Sequence, residues 1–303
     1  MGSVELKNKT EHTSLTGTEW IYAQLAGSPF SVVNIALNTI KSWITSLFDP
    51  THPTAYYVSA DYTILDDDGY LWILVDASSD DVDVYLPTKA DNIRRKIGIK
   101  FVKDTAGTHK VTVFPDAADS NSLSNDGLAS IILPKIGNHV EFIESQDTGM
   151  WEITGERITS QLRLNTYAGY GSTDTKIPRF TNSVENNGNM FTENHSTGYN
   201  SNAEGLEIMI NRSGWYAVLF NSGDISGVLR GLSLNSSQLT TAFATINIGD
   251  KIASGYSNSS SNPEFQVIAF LYFKKDDIIR PHTDGSAPAT AARSFFSCTY
   301  LGQ

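Results

Sequence analysis

The chain has 303 residues, 40% of them hydrophobic and only 18% charged, with Asp+Glu 33 against Lys+Arg 22 and a formal charge of -11. That length suits two or three domains of ~100–150 residues, and the acidic balance excludes a phosphate-gripping surface, so no nucleic-acid partner is expected. The lone cysteine, Cys298, rules out an internal disulfide and a thiolate metal cluster, and it reads as a small buried apolar residue.

No apolar run reaches the ~18–20 residues that cross a bilayer, so membrane insertion is not expected. The first residues lack the basic-then-apolar layout of a secretory signal.

Residues 1–54 form a first unit. The stretch 18–25, which includes Trp20 and Tyr22, mixes large and polar residues as a strand does, and Gly27-Ser28-Pro29 ends it. Val33, Leu37, Ile40, Ile44 and Leu47 then recur at steps of four and three, the spacing of one helix face, with Ser31 as N-cap and Asp49-Pro50 as the stop. A seam of about two heptads serves either packing on its own strand or association with copies of itself.

Residues 55–158 read as all β. Short runs around 69–75, 82–87, 97–102, 111–115, 131–134, 140–143 and 151–153 are separated by turn residues, which suits a β-sandwich or small barrel. Residues 159–178 are rich in Gly, Thr and Tyr and read as a linker. From 179 to 303 the chain is again strand-rich with no helical period, and the expected fold is a jelly-roll β-sandwich.

One run says more than strand. In Val267-Ile268-Ala269-Phe270-Leu271-Tyr272-Phe273 odd and even positions are both apolar, whereas a strand with one wet face alternates. One face lines the core, and the other calls for cover, which a neighbouring copy of the subunit supplies most simply, the alternative being a central strand covered by loops of its own chain.

The residues show no chemistry of catalysis. The six histidines are scattered, with no two at metal-ligand spacing on one element. Asp66-Asp67-Asp68-Gly69 begins like a calcium loop, but Tyr70, Leu74 and Ala77 then stand where oxygen ligands are needed. Nucleophile elbow, phosphate loop and dinucleotide fingerprint are all missing, so no catalytic residue, no metal and no cofactor is assigned and the chain is not expected to be an enzyme.

Three groups of segments resemble known modules. Leu15 to Trp20 with Ala26 to Phe30 resembles the N-terminal module of tailed-bacteriophage fibre proteins. Tyr62 to Tyr70, Leu86 to Asn92 and Arg95 to Lys100 resemble the β-sandwich of phage fibre shafts. Gly214-Trp215-Tyr216, Ile248 to Ile252, Phe273 to Ile279 and Arg293 to Gly302 resemble the jelly-roll head of tumour-necrosis-factor and complement-type proteins, with Asp276 where that family usually has glycine.

The resemblance implies a mainly β homotrimer: a virion-attachment unit (1–54) with a short helix, a sandwich shaft (55–158) and a jelly-roll knob (179–303). It implies a tail fibre made in the host cytoplasm and carried on the virion. The alternative is a capsid (head) fibre or decoration protein with a structural or weakly adhesive role.

Trp20 and Tyr22 are then the candidate contacts to other virion proteins, and Leu37, Ile40, Ile44, Ile268, Phe270 and Tyr272 the candidate trimer interface. His195, Tyr199, Asn200, Tyr256 and Asn258, in polar loops, are the candidate contacts to a host glycan or surface protein.

Overall fold

Runs in which Val, Ile or Phe alternate with polar residues form nearly every strand, because alternation puts one row of side chains on a core and the other in water. The computed structural model describes residues 20–24 and 32–36. From residue 55 onward it describes all but 67, 69–71, 90–94, 120–122, 125, 146–147, 195–203, 224–228, 257–263 and 287–290. The chain divides into two compact units, Met1–Pro53 and Thr54–Gln303.

In the first unit β1 (Trp20–Gln24) pairs antiparallel with β2 (Val32–Ala36), setting Trp20 opposite Ala36 and Tyr22 opposite Asn34. This corrects the start of the expected helix: Val33 lies in a strand, where a β-branched Val-Val pair beside a partner strand outweighs a helical spacing. Leu37, Ile40, Ile44 and Leu47 lie outside the described residues.

The second unit begins with β3 (Ala55–Val58), β4 (Tyr62–Thr63), β5 (Trp72–Asp76), β6 (Val82–Tyr85), β7 (Lys96–Lys103) and β8 (Val111–Phe114). Then follow β9 (Ile131–Leu133), β10 (His139–Ser145) and β11 (Met150–Arg157). They make a sandwich of two sheets, ordered β11-β10-β7-β5-β3 and β4-β6-β8-β9. Val75, Val84, Phe101, Val113 and Phe142 are among the residues of its dry interior.

The winding differs from an ordinary sandwich of hairpins. From β3 to β8 the chain passes alternately from one sheet to the other, and β3, β5 and β7, like β4, β6 and β8, run parallel. A parallel pair needs a long crossover, and here the crossover is a strand of the opposite sheet. Only from β9 onward do antiparallel pairs take over.

The knob holds β12 (Gln161–Tyr170), β13 (Pro178–Asn187), β14 (Phe191–Glu193), β15 (Ile208–Ile210) and β16 (Gly214–Gly223). It continues with β17 (Leu229–Leu234), β18 (Lys251–Tyr256), β19 (Glu264–Phe273), β20 (Ile278–His282) and β21 (Phe295–Gly302). Two five-stranded antiparallel sheets, β13-β12-β21-β16-β19 and β14-β15-β20-β17-β18, face each other as a jelly-roll sandwich.

The stretch expected as linker is part of this knob. β12 is bonded to β13 on one side and β21 on the other, and its Leu162 and Leu164 are fully buried. Polar and aromatic composition disguised an alternating strand.

No free tether separates the two sandwiches. Asn189 takes the Ile132 N–H on its Oδ1 (3.0 Å) and donates to Ser130 O (2.8 Å), while Ser213 donates its N–H and hydroxyl to the Asp126 carboxylate (3.0 and 2.9 Å). Between them Arg212, fully buried, donates to Glu156 and to Gln303 Oε1 (3.1 Å), and Tyr300 donates its hydroxyl to the other Glu156 oxygen.

Two knob features yield predictions. Gly231 in β17 lies so close to its neighbours that a Cβ there would sit 2.2 Å from Ala253 O and 2.3 Å from Phe243 Cζ. Gly231→Ala is therefore expected to cost about 1–3 kcal/mol in urea unfolding, since a backbone oxygen and a packed ring must move.

His282 is fully buried. Its Nε2–H donates to Thr241 O (2.8 Å), and its Nδ1 lies 3.2 Å from the Ser233 hydroxyl, which can donate to it in the neutral ring. Burial lowers its pKa from the ordinary 6.5, and the nearby Arg280 and Lys176 add to that, against the Thr241 bond and Asp250. A depressed folded pKa means the unfolded chain takes up the proton first, so stability present above pH 6.5 is lost as pH falls. Melting from about pH 7 to about pH 5 should show an added slope of at most ~1.4 kcal/mol per pH unit, absent in His282→Gln.

Candidate functional site

The run 267–273 lies in β19, the edge of its sheet, bonded along ten residues to β16 and, among the described residues, to no strand on its other side. Val267, Ala269 and Phe273 turn inward and are buried. Ile268, Phe270 and Tyr272 turn outward and stand 49%, 63% and 46% exposed.

Their neighbours on β16 extend the patch. Trp215 pairs with Tyr272, Ala217 with Phe270 and Leu219 with Ile268. The Trp215 and Tyr272 rings meet edge to face with centroids 5.9 Å apart, leaving Trp215 51% exposed. Leu301 on β21 is also largely exposed.

Moving across the sheet, the rows become polar: Phe270–Ala217–Thr299–Gln161 and Ile268–Leu219–Ser297–Arg163. The outer surface thus runs from large apolar side chains at the β19 edge, through small residues, to amide and guanidinium groups on β12. A long apolar edge strand with open backbone groups is a pairing hazard unless something covers it. The face has no acid, base and nucleophile in concert. It can bury apolar area against another surface, and that is the chemistry it offers.

On the opposite side of β21, Cys298 is wholly buried, and its burial pushes the thiol pKa well above the usual range. It serves as packing. The turn after β19 answers the glycine question: Asp276 takes a left-handed φ of 68°, and Asp277 caps the turn by accepting the Lys274 N–H at 2.8 Å.

Of the other candidates, Tyr256 ends β18 opposite Leu229 and is 56% exposed. His195, Tyr199, Asn200 and Asn258 lie outside the described residues. Trp20 and Tyr22 lie two residues apart on β1, with only the backbone register described. Trp215 and Leu301, which extend the exposed apolar patch, were not singled out from the sequence. The doubly apolar run Trp215-Tyr216-Ala217-Val218-Leu219-Phe220 carried the same signal as 267–273. Among the described residues no three His, Cys, Asp or Glu side chains converge in a metal-binding group.

No protein-family model matches the chain, and no curated protein matches it. Among solved structures, murine APRIL is 12% identical with a TM-score of 0.30 over 47% of this chain and 99% of its own. GITRL from pika is 10% identical with a TM-score of 0.29, covering 48% of this chain and 97% of its own. Bushbaby GITRL is 12% identical with a TM-score of 0.28 over 48% and 96%. Each of these aligns with about half of this chain, and the jelly-roll description rests on the chain's own sheet order.

Proposed function

We propose that the chain is a non-catalytic virion protein of a tailed bacteriophage, a homotrimeric tail fibre that attaches the particle to the host surface through its knob. The observation that carries the reading is the uncovered apolar surface at β16 and β19, which a lone subunit leaves in water. Two further copies shelter it in this reading, and the resemblance of the head segments to trimeric jelly-roll heads favours three. The loops of the knob are left to meet host glycan or protein, and the 1–54 unit to meet other virion proteins. Three knobs on one fibre multiply weak contacts through effective concentration.

Light scattering on the full chain is the first test, with an expected mass three times the 33.1 kDa of one copy. A single-copy mass at micromolar concentration overturns the trimer. Antibody to the knob should then label the tail in electron micrographs, whereas label on the head assigns the protein to the capsid.

A further inference from the structure

The outer face of the five-stranded sheet in the middle sandwich carries a second, differently built surface. Trp72, Gly98, Glu141 and Gly155 form one transverse row across β5, β7, β10 and β11. A Cβ on Gly98 would lie 2.5, 2.7 and 2.8 Å from three contiguous atoms of the Trp72 six-membered ring. Near-equal distances to three adjacent ring atoms arise when the ring is approached through its face. The indole therefore lies flat on the sheet over Gly98, with its opposite face turned outward, and only glycine permits this.

Glu141 is laid over Gly155 in the same way, its Cδ and one oxygen 3.2 Å from where a Cβ would be. Beside them lies a depression of about 200 Å³ lined by Trp72, Lys96, Ile97, Gly98, Glu141, Phe142 and Thr154. The His139 ring stands beside the indole at 67° with centroids 6.0 Å apart. Among the described residues neither the Glu141 carboxylate nor the Lys96 ammonium is engaged in an ion pair or side-chain hydrogen bond.

We infer that this depression is a saccharide subsite for an uncharged pyranose. A sugar ring has a flat face of C–H groups that stacks on an exposed indole, and a rim of hydroxyls that bond to a carboxylate, an ammonium and a threonine hydroxyl. The site matches that division: one aromatic floor, with three polar groups at its margin. Glu141 and the net charge of -11 disfavour an acidic sugar. The inference rests on the middle sandwich alone and does not need the knob or the trimer.

Saturation-transfer NMR on the full chain, with methyl β-D-glucopyranoside and methyl β-D-galactopyranoside as probes, tests it. Transfer to the ring C–H protons of at least one probe is expected. Trp72→Ala should weaken binding by about tenfold or more, and Glu141→Gln, a surface change that spares the fold, by about threefold. The inference is overturned by absence of transfer from both probes, or by undiminished transfer in Glu141→Gln together with Trp72→Ala. A change in the protein's mass caused by Trp72→Ala also overturns it, because the face would then belong to a protein contact.

Discussion

Phe270→Asp is expected to convert the proposed three-chain particle into single chains that keep the β-rich circular dichroism of the parent. Phe270 is 63% exposed in one subunit, so the subunit's own core does not depend on it. Covering a large apolar side chain is worth ~1.5–3 kcal/mol, and the change loses that in every copy. It also leaves a carboxylate facing Trp215, Ile268 and Tyr272, with nothing in the patch to pair with it. Equilibrium sedimentation at micromolar concentration reads the result. Ile136→Asp, also at an exposed apolar position but in a turn of the middle sandwich, should leave the mass unchanged. Equal masses for Phe270→Asp and the parent would show that this face is not what holds the copies together.

Arg212→Met is expected to have the largest effect on the stability of one chain, a loss of about 3–5 kcal/mol in urea unfolding. The guanidinium is fully buried and carries three contacts: one to Glu156, one to Gln303, and one over the face of Tyr300, 5.7 Å from the ring centroid. Removing it leaves the Glu156 carboxylate, whose side chain is 9% exposed, with only the Tyr300 hydroxyl to answer it. Replacing both Arg212 and Glu156 by methionine should restore much of the loss, because the cost comes from an unpaired buried charge more than from the missing attraction. Additive losses in that double-mutant cycle would mean the two residues do not act as a pair.

The strands were legible where β-branched and aromatic residues cluster, as at 72–76, 82–85 and 96–103, since such runs suit a half-buried pleated surface. Their parallel winding was not, because a strand alternates in the same way whichever direction its neighbour runs. β12 was hidden by its two tyrosines and its glycine, although Leu162 and Leu164 hold the spacing of a strand. The outward face of β19 was legible, because both parities of that run are apolar. The Arg212–Glu156 pair was invisible: its members lie 56 positions apart, and an arginine in a sequence reads as a surface residue. The Trp72 platform was equally hidden, since nothing in Ile97-Gly98-Ile99 says which ring will lie on the glycine.

The position of β21 has a consequence for synthesis. Residues 295–302 fill the middle of their sheet, between β12 and β16, and nothing else in the knob can close that gap. The ribosome must therefore deliver these residues before the earlier strands can settle, and a message cut short upstream of them leaves two half-sheets with raw inner edges. Such fragments cannot present a finished wall to their sisters. In the proposed trimer, assembly would thereby proofread translation, admitting only polypeptides read through β21.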